Sequence, residues 1–64
     1  MLTNSRDIIR RLQQDGYRLV RVKGSHHQFK HSVTERRVTV PHPRKDIPLN
    51  TVRSIYDQAE WAKD

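Results

Sequence analysis

The sequence predicts a small α+β domain with the order α-β-β-β-α, in which both helices cover one face of a three-stranded antiparallel sheet. Apolar residues recur at helical spacing near both ends of the chain, and three short runs between them have the composition or the alternation of β-strands. The links between these runs are short enough for neighbouring strands to pair directly. We expect one domain over residues 1–64, because a chain this short buries too little surface for two cores.

The first helix is predicted to begin at Asn4 or Ser5, whose side chains can cap a helix N-terminus. Asp7 then lies in the first turn, where a carboxylate favours the positive end of the helix dipole. The helix should end near Asp15, because Gly16 can adopt the left-handed conformation that follows many helices. Its apolar face consists of Ile8, Ile9 and Leu12.

Two strands should follow, joined by a tight turn. Residues 17–23 are rich in β-branched and aromatic residues, and Gly24 and Ser25 interrupt them. In the second strand, residues 26–31, successive side chains point to opposite faces of the sheet. Phe29 marks the core face, and His27 shares that face. His26 is therefore expected on the outward, polar face, together with Gln28 and Lys30.

The third strand is predicted over residues 37–40, with Val38 and Val40 pointing inward. Prolines then prevent the sheet from continuing, so residues 41–48 form a stiff crossing loop. We expect Asp46 to cap the last helix and Pro48 to lie in its first turn. The buried face of that helix should consist of Leu49, Val52, Ile55, Tyr56 and Ala59.

Composition limits the class of protein. Thirteen Lys and Arg against seven Asp and Glu give a net charge of +6, which favours a polyanionic partner, either nucleic acid or an acidic protein. The absence of cysteine excludes disulfides and thiolate metal sites. No run of apolar residues has the length of a signal peptide or a membrane span. We therefore expect a cytoplasmic protein that does not enter a membrane.

The histidines do not have the spacing of a metal site. His26 and His27 should face opposite ways, and His27 and His31 are about 13 Å apart along a strand, too far to share one ion. A two-metal nuclease requires clustered carboxylates, whereas the acidic residues of this chain are scattered. The sequence thus predicts neither a metal nor another cofactor.

Acid/base catalysis by one histidine is sufficient to cleave RNA. An imidazole titrates near neutral pH and can accept the proton of a ribose 2′-hydroxyl, so the RNA supplies its own nucleophile. DNA lacks this hydroxyl. Lys23 and Lys30 are the nearest candidate phosphate contacts to His26, and Gly24 lets a backbone phosphate approach closely. The same residues suit an RNA-binding module without catalysis, so both functions remain open at this point.

Several segments resemble the HicA toxins. They are residues 16–31 with Gly24-Ser25-His26 at their centre, the Val38-Thr39-Val40-Pro41-His42-Pro43 segment, and Lys45-Asp46-Ile47-Pro48 with the helix after it. The resemblance implies a fold like the double-stranded-RNA-binding domain. It also implies the toxin of a type II toxin–antitoxin system, an mRNA endoribonuclease that needs neither a metal nor the ribosome.

The same resemblance implies the site and the partners. His26 corresponds to the catalytic histidine, and Gly24, Ser25, Lys23, Gln28 and Lys30 are the residues expected to contact RNA. The expected partners are mRNA and an inhibitory HicB-type antitoxin, with no specific DNA binding by this chain. The chain departs from the family pattern at Asn50 and Glu60, where glycine is frequent, so the two ends of the last helix are less well predicted.

Overall fold

A computed structural model describes residues 1–64 and confirms the predicted order of elements. Strands β1, β2 and β3 form one antiparallel sheet in that order. Both helices cover the same face of the sheet. The boundaries lie within a residue or so of those predicted for the first helix and the strands. The elements are α1 (Ser5–Gln14), β1 (Tyr17–Lys23), β2 (His26–His31), β3 (Arg37–Pro41) and α2 (Leu49–Ala59).

Helix α1 begins and ends as its sequence predicts. The Asn4 side chain accepts a hydrogen bond from the Arg6 N–H at 2.9 Å, which satisfies one of the free donors of the first turn. Asp15 is the C-cap, and Gly16 follows with a φ of 98°. Ile8 and Leu12 are fully buried.

The predicted start of α2 was wrong. Asp46 does not cap the helix, Pro48 is the N-cap rather than a residue of the first turn, and no side chain accepts a hydrogen bond there. The cause lies just upstream, because Ile47 is buried and its N–H donates to the Thr3 carbonyl at 2.9 Å. This extended contact holds the chain out of helical conformation until Leu49.

The buried face of α2 agrees with the predicted stripe except at the first residue of the helix. Val52, Ile55, Tyr56 and Ala59 are buried, whereas Leu49 is 52% exposed. The prediction for Leu49 was wrong because Ile47, just before the helix, supplies the buried side chain at this end. At the other end, Glu60 is left-handed with a φ of 57°.

The core lies between the helices and the sheet, and β1 contributes little to it. Only Tyr17 of β1 is buried, while Leu19, Val20 and Val22 remain 47%, 40% and 51% exposed. The pairing with β2 shifts between Leu19 and Arg21, so Val20 forms a bulge. The buried apolar residues are Ile8, Leu12, Tyr17, Phe29, Val38, Val40, Ile47, Val52, Ile55, Tyr56, Ala59 and Trp61. Neither helix has the length and apolar character needed to cross a bilayer.

Trp61 packs against α1. Its indole N–H donates to the Asp15 carboxylate at 2.6 Å. The Arg11 guanidinium lies 4.2 Å from the centre of its ring, within the range of a cation–π contact. The indole therefore joins the C-terminal segment to the end of α1.

His31 also contacts the end of α1, from the far end of β2. Its Nε2 lies 2.8 Å from the Asp15 carbonyl, and its Nδ1 accepts the N–H groups of Val33 and Thr34 at 3.1 and 3.2 Å. An imidazole with its proton on Nε2 satisfies all three bonds, since Nε2 then donates and Nδ1 accepts. His31 is a structural residue that connects the β2–β3 turn to α1.

We expect His31→Ala to lower the free energy of unfolding by about 1–2 kcal/mol, because three hydrogen bonds to backbone groups are removed. Urea denaturation of both proteins measures the difference. Val33→Ala is the control, since Val33 is 80% exposed and its removal should change stability by less than about 0.5 kcal/mol. Equal stability of His31→Ala and the wild type would contradict the structural role.

Candidate functional site

His26 lies at one end of the central strand. It is the first residue of β2, directly after the Gly24-Ser25 turn, and it pairs with Lys23 of β1 and with Pro41 of β3. Its side chain is exposed, as its place in the β2 alternation predicts. Gly24 has a φ of 58°, and a side-chain carbon added there would touch nothing within 4 Å. The space above the turn is therefore open to a ligand.

A groove of about 320 Å³ connects His26 to the second helix. We call it the His26 groove. Its sheet wall is formed by Ser25, His26, Thr39 and Pro41. Its opposite wall is formed by Arg44, Thr51, Ser54, Ile55 and Gln58, which belong to the loop after β3 and to α2. The groove contains a histidine and an arginine but no carboxylate.

Gln58 positions α2 against the edge of the sheet. Its side-chain oxygen accepts the Thr39 N–H at 2.9 Å, and its amide nitrogen lies 3.3 Å from the Ser54 hydroxyl. Because β3 is an edge strand, the Thr39 N–H would otherwise have no partner in the sheet. The Ser54 oxygen accepts from Gln58, and the Ser54 hydroxyl keeps one proton to donate.

The predicted RNA contacts fall at different distances from His26. Lys23 is its direct neighbour across the β1–β2 pair, and Ser25 forms part of the groove wall. Gln28 lies two residues further along the outward face. Lys30 lies about 13 Å from His26 along the strand and is paired with Glu35 at 3.4 Å.

The second wall of the groove was not predicted from the sequence. Arg44 lies in the proline-rich loop, and Thr51, Ser54 and Gln58 form a polar side of α2 next to its buried stripe. The spacing of those three polar residues was a visible signal. Only the tertiary structure shows that this side of the helix faces His26.

His27 and His42 meet on the other face of the sheet. Their ring centroids are 4.9 Å apart with the rings at 86°, an edge-to-face contact. The His27 Nδ1 also lies 3.4 Å from the Ser25 carbonyl. The same carbonyl accepts the backbone N–H of His42 at 2.8 Å. This pair lies behind the turn and does not enter the His26 groove.

Ser5 fixes the loop that carries Arg44. Its buried hydroxyl lies 2.7 Å from the His42 Nδ1 and accepts the Arg44 N–H at 2.9 Å, while its own N–H donates to the Arg44 carbonyl at 2.9 Å. Burial lowers the pKa of His42 from its ordinary value of 6.5, and the charges of His27 and Arg6 lower it further. A neutral ring with its proton on Nε2 accepts the Ser5 hydroxyl proton at Nδ1.

No three histidine, aspartate or glutamate side chains come together as a set of metal ligands. The chemistry that the site itself offers is an exposed imidazole beside an arginine, with hydroxyl groups on the opposite wall.

Comparison with protein families bears on this arrangement. The model of the HicA toxin of bacterial toxin–antitoxin systems matches residues 5–61, which include all five elements and both walls of the groove. The chain belongs to the HicA toxin family. It is thus the toxin of a bacterial toxin–antitoxin pair, and membership of the HicA family implies a cognate antitoxin as its partner. No curated protein sequence gives a significant match to this HicA chain.

The lowered pKa of His42 predicts how stability depends on pH. Above pH 6.5 the ring is neutral in both states, and its contribution to stability is complete. As the pH falls below 6.5, the unfolded chain binds the proton first, so stability decreases until the pH passes the lower pKa of the folded state. We expect the free energy of unfolding, measured in urea between pH 7.5 and pH 5, to fall less steeply in His42→Asn than in the wild type. Parallel slopes would contradict this prediction.

A second prediction concerns the contact between α2 and β3. Gln58→Ala leaves the Thr39 N–H without its partner, so we expect about 1 kcal/mol of destabilisation. Hydrogen exchange at the Thr39 amide should accelerate, because the acceptor of that amide is removed. Asp57→Ala on the neighbouring exposed position is the control, and it should leave exchange at Thr39 unchanged.

Proposed function

We propose that this toxin is a metal-independent mRNA endoribonuclease in which His26 is the catalytic residue, and that a HicB-type antitoxin inhibits it. Because mRNA is its substrate, we place its action in the cytoplasm. Membership of the HicA family supports the class of activity.

The state of the four histidines carries this proposal. His27, His31 and His42 each make a hydrogen bond and a ring contact inside the fold. His26 has neither, and its imidazole is exposed on the wall of the His26 groove. A histidine with both ring nitrogens available is what proton transfer to and from a substrate requires.

The groove suits cleavage by the RNA's own 2′-hydroxyl. His26 removes the proton from that hydroxyl, and the 2′-oxygen attacks the adjacent phosphorus. The bond from phosphorus to the 5′-oxygen breaks, and a 2′,3′-cyclic phosphate remains. The 5′-oxygen takes up a proton from solvent, and the His26 imidazolium releases its proton to solvent. Arg44 and Lys23 flank His26 and can stabilise the negative charge that develops on the phosphate oxygens.

Charge supports both proposed partners. The net charge of +6 favours RNA, and it equally favours an acidic inhibitor that competes for the same surface. Inhibition by a HicB-type antitoxin requires only that the antitoxin cover His26, which lies at an exposed edge of the molecule.

We expect purified protein to cleave unstructured RNA in the presence of a metal chelator, and His26→Ala to reduce the rate by about 10²- to 10⁴-fold, the usual contribution of a general acid or base. His27→Gln is the matched control, because His27 is adjacent in sequence but lies on the other face. It should keep the wild-type rate. Gel analysis of a labelled RNA measures the cleavage rates of both variants. The same sequence as DNA, which lacks the 2′-hydroxyl, is analysed in parallel.

An RNA-binding module without catalysis remains the alternative. Equal cleavage by the wild type and His26→Ala would remove His26 from the mechanism. Binding of RNA by both proteins with cleavage by neither would establish the module instead.

A further inference from the structure

Two further grooves follow the His26 groove, and each shares lining residues with the one before it. Arg44 lines both the His26 groove and a second groove of about 210 Å³. Arg6 and His42 line both this second groove and a third, of about 270 Å³, which lies along α1. The three depressions therefore form one path from His26, over the loop after β3, to the side of α1.

Cations line this path, and carboxylates do not. Arg44, Lys45, Arg6 and Arg10 all border it, whereas none of the seven acidic residues of the chain does. Arg44, Lys45 and Arg6 have no ion-pair partner, and Arg10 has only an exposed contact of 3.7 Å with Asp7. We call these four residues the basic track.

The track offers side-chain charge rather than backbone donors. The N–H groups of Ser5, Arg6, Asp7 and Ile8 at the start of α1 all donate within the chain. The guanidinium and ammonium groups of the track, by contrast, are exposed. Such groups bind successive phosphates of a flexible strand without reading its sequence.

The outward sheet face is also basic, but its shape is different. Arg18 and Arg21 lie on that face opposite Lys30 and Gln28, and Lys30 is already paired with Glu35. Apart from the His26 groove at its β3 edge, no groove runs along this face. A single strand that must enter the His26 groove therefore has a concave cationic route in one direction only.

We propose that single-stranded RNA leaves the His26 groove across Arg44 and follows the basic track along Lys45, Arg6 and Arg10, rather than crossing the outward face of the sheet. This route does not include the RNA contacts that the sequence predicts at Gln28 and Lys30. This inference rests on the proposed function, because it assumes that RNA is the substrate at His26. It assigns to Arg44 the contact nearest the scissile phosphate, and to Arg6 a contact further along the strand.

The test measures binding separately from cleavage. A short single-stranded RNA with 2′-O-methyl groups cannot be cut through its 2′-oxygen, so its affinity can be determined for the active protein at several salt concentrations. The track variant is Arg6→Gln with Arg44→Gln. The matched control is Arg18→Gln with Arg21→Gln, which removes the same charge from the outward face. Thermal unfolding verifies that both double variants are folded.

We expect the track variant to bind about tenfold more weakly. The slope of log affinity against log salt should decrease in magnitude by about 1.4. This is roughly 0.7 for each of the two phosphates of a single strand that the variant no longer neutralises. The control should change the slope by less than about 0.3. An unchanged slope in the track variant overturns the route and leaves the track available to an acidic protein. Equal losses of affinity in both variants overturn it too, because net charge alone would then set the affinity.

Failure of the route is distinguishable from failure of the proposed function. Unmodified RNA tests whether the wild type cleaves, and the methylated RNA tests where it binds. Cleavage with an unaltered salt slope in the track variant rejects only the route. Absence of cleavage by the wild type rejects the nuclease, whatever the binding data show.

Discussion

The structure depends on the burial of Phe29 at the centre of β2. This side chain is 1% exposed and lies between Leu19 on one neighbouring strand and Val38 on the other. Since side chains alternate along a strand, its position decides the direction of every other residue in β2. A shift of the register by one residue would turn His26 toward the helices and His27 toward solvent. The exposure of the proposed catalytic imidazole is thus a consequence of core packing three residues away.

Two polar contacts convert this sheet into a site. Gln58 binds the free edge of β3 and brings the polar side of α2 opposite His26. Ser5 binds the loop after β3 at His42 and Arg44, and so places an arginine at the end of the same groove. Both contacts use backbone groups that would otherwise lack partners, so they serve the stability of the fold and the shape of the groove together.

The distribution of charge in so small a protein follows from its small core. With only a dozen buried apolar residues, nearly all charged residues lie at the surface, and their positions are free to serve binding. Acidic residues mostly pair with cations or lie away from the three grooves. Next to His26 and along α1, Arg44, Lys45 and Arg6 therefore keep uncompensated positive charge that a polyanion can use.

Local patterns in the sequence determined the order of elements, the core faces of β2, β3 and α1, most of the core face of α2, and the outward position of His26, because each depends on a periodicity of two or of 3.6 residues. The predicted start of α2 was wrong for the opposite reason. The contact of Ile47 with Thr3 joins residues 44 positions apart, and no local pattern at Asp46 indicates it. The second wall of the groove was not predicted for the same reason. That Arg44, Ser54 and Gln58 face His26 was decided only when α2 packed against β3, since the spacing of residues along a chain does not specify which distant segments come together.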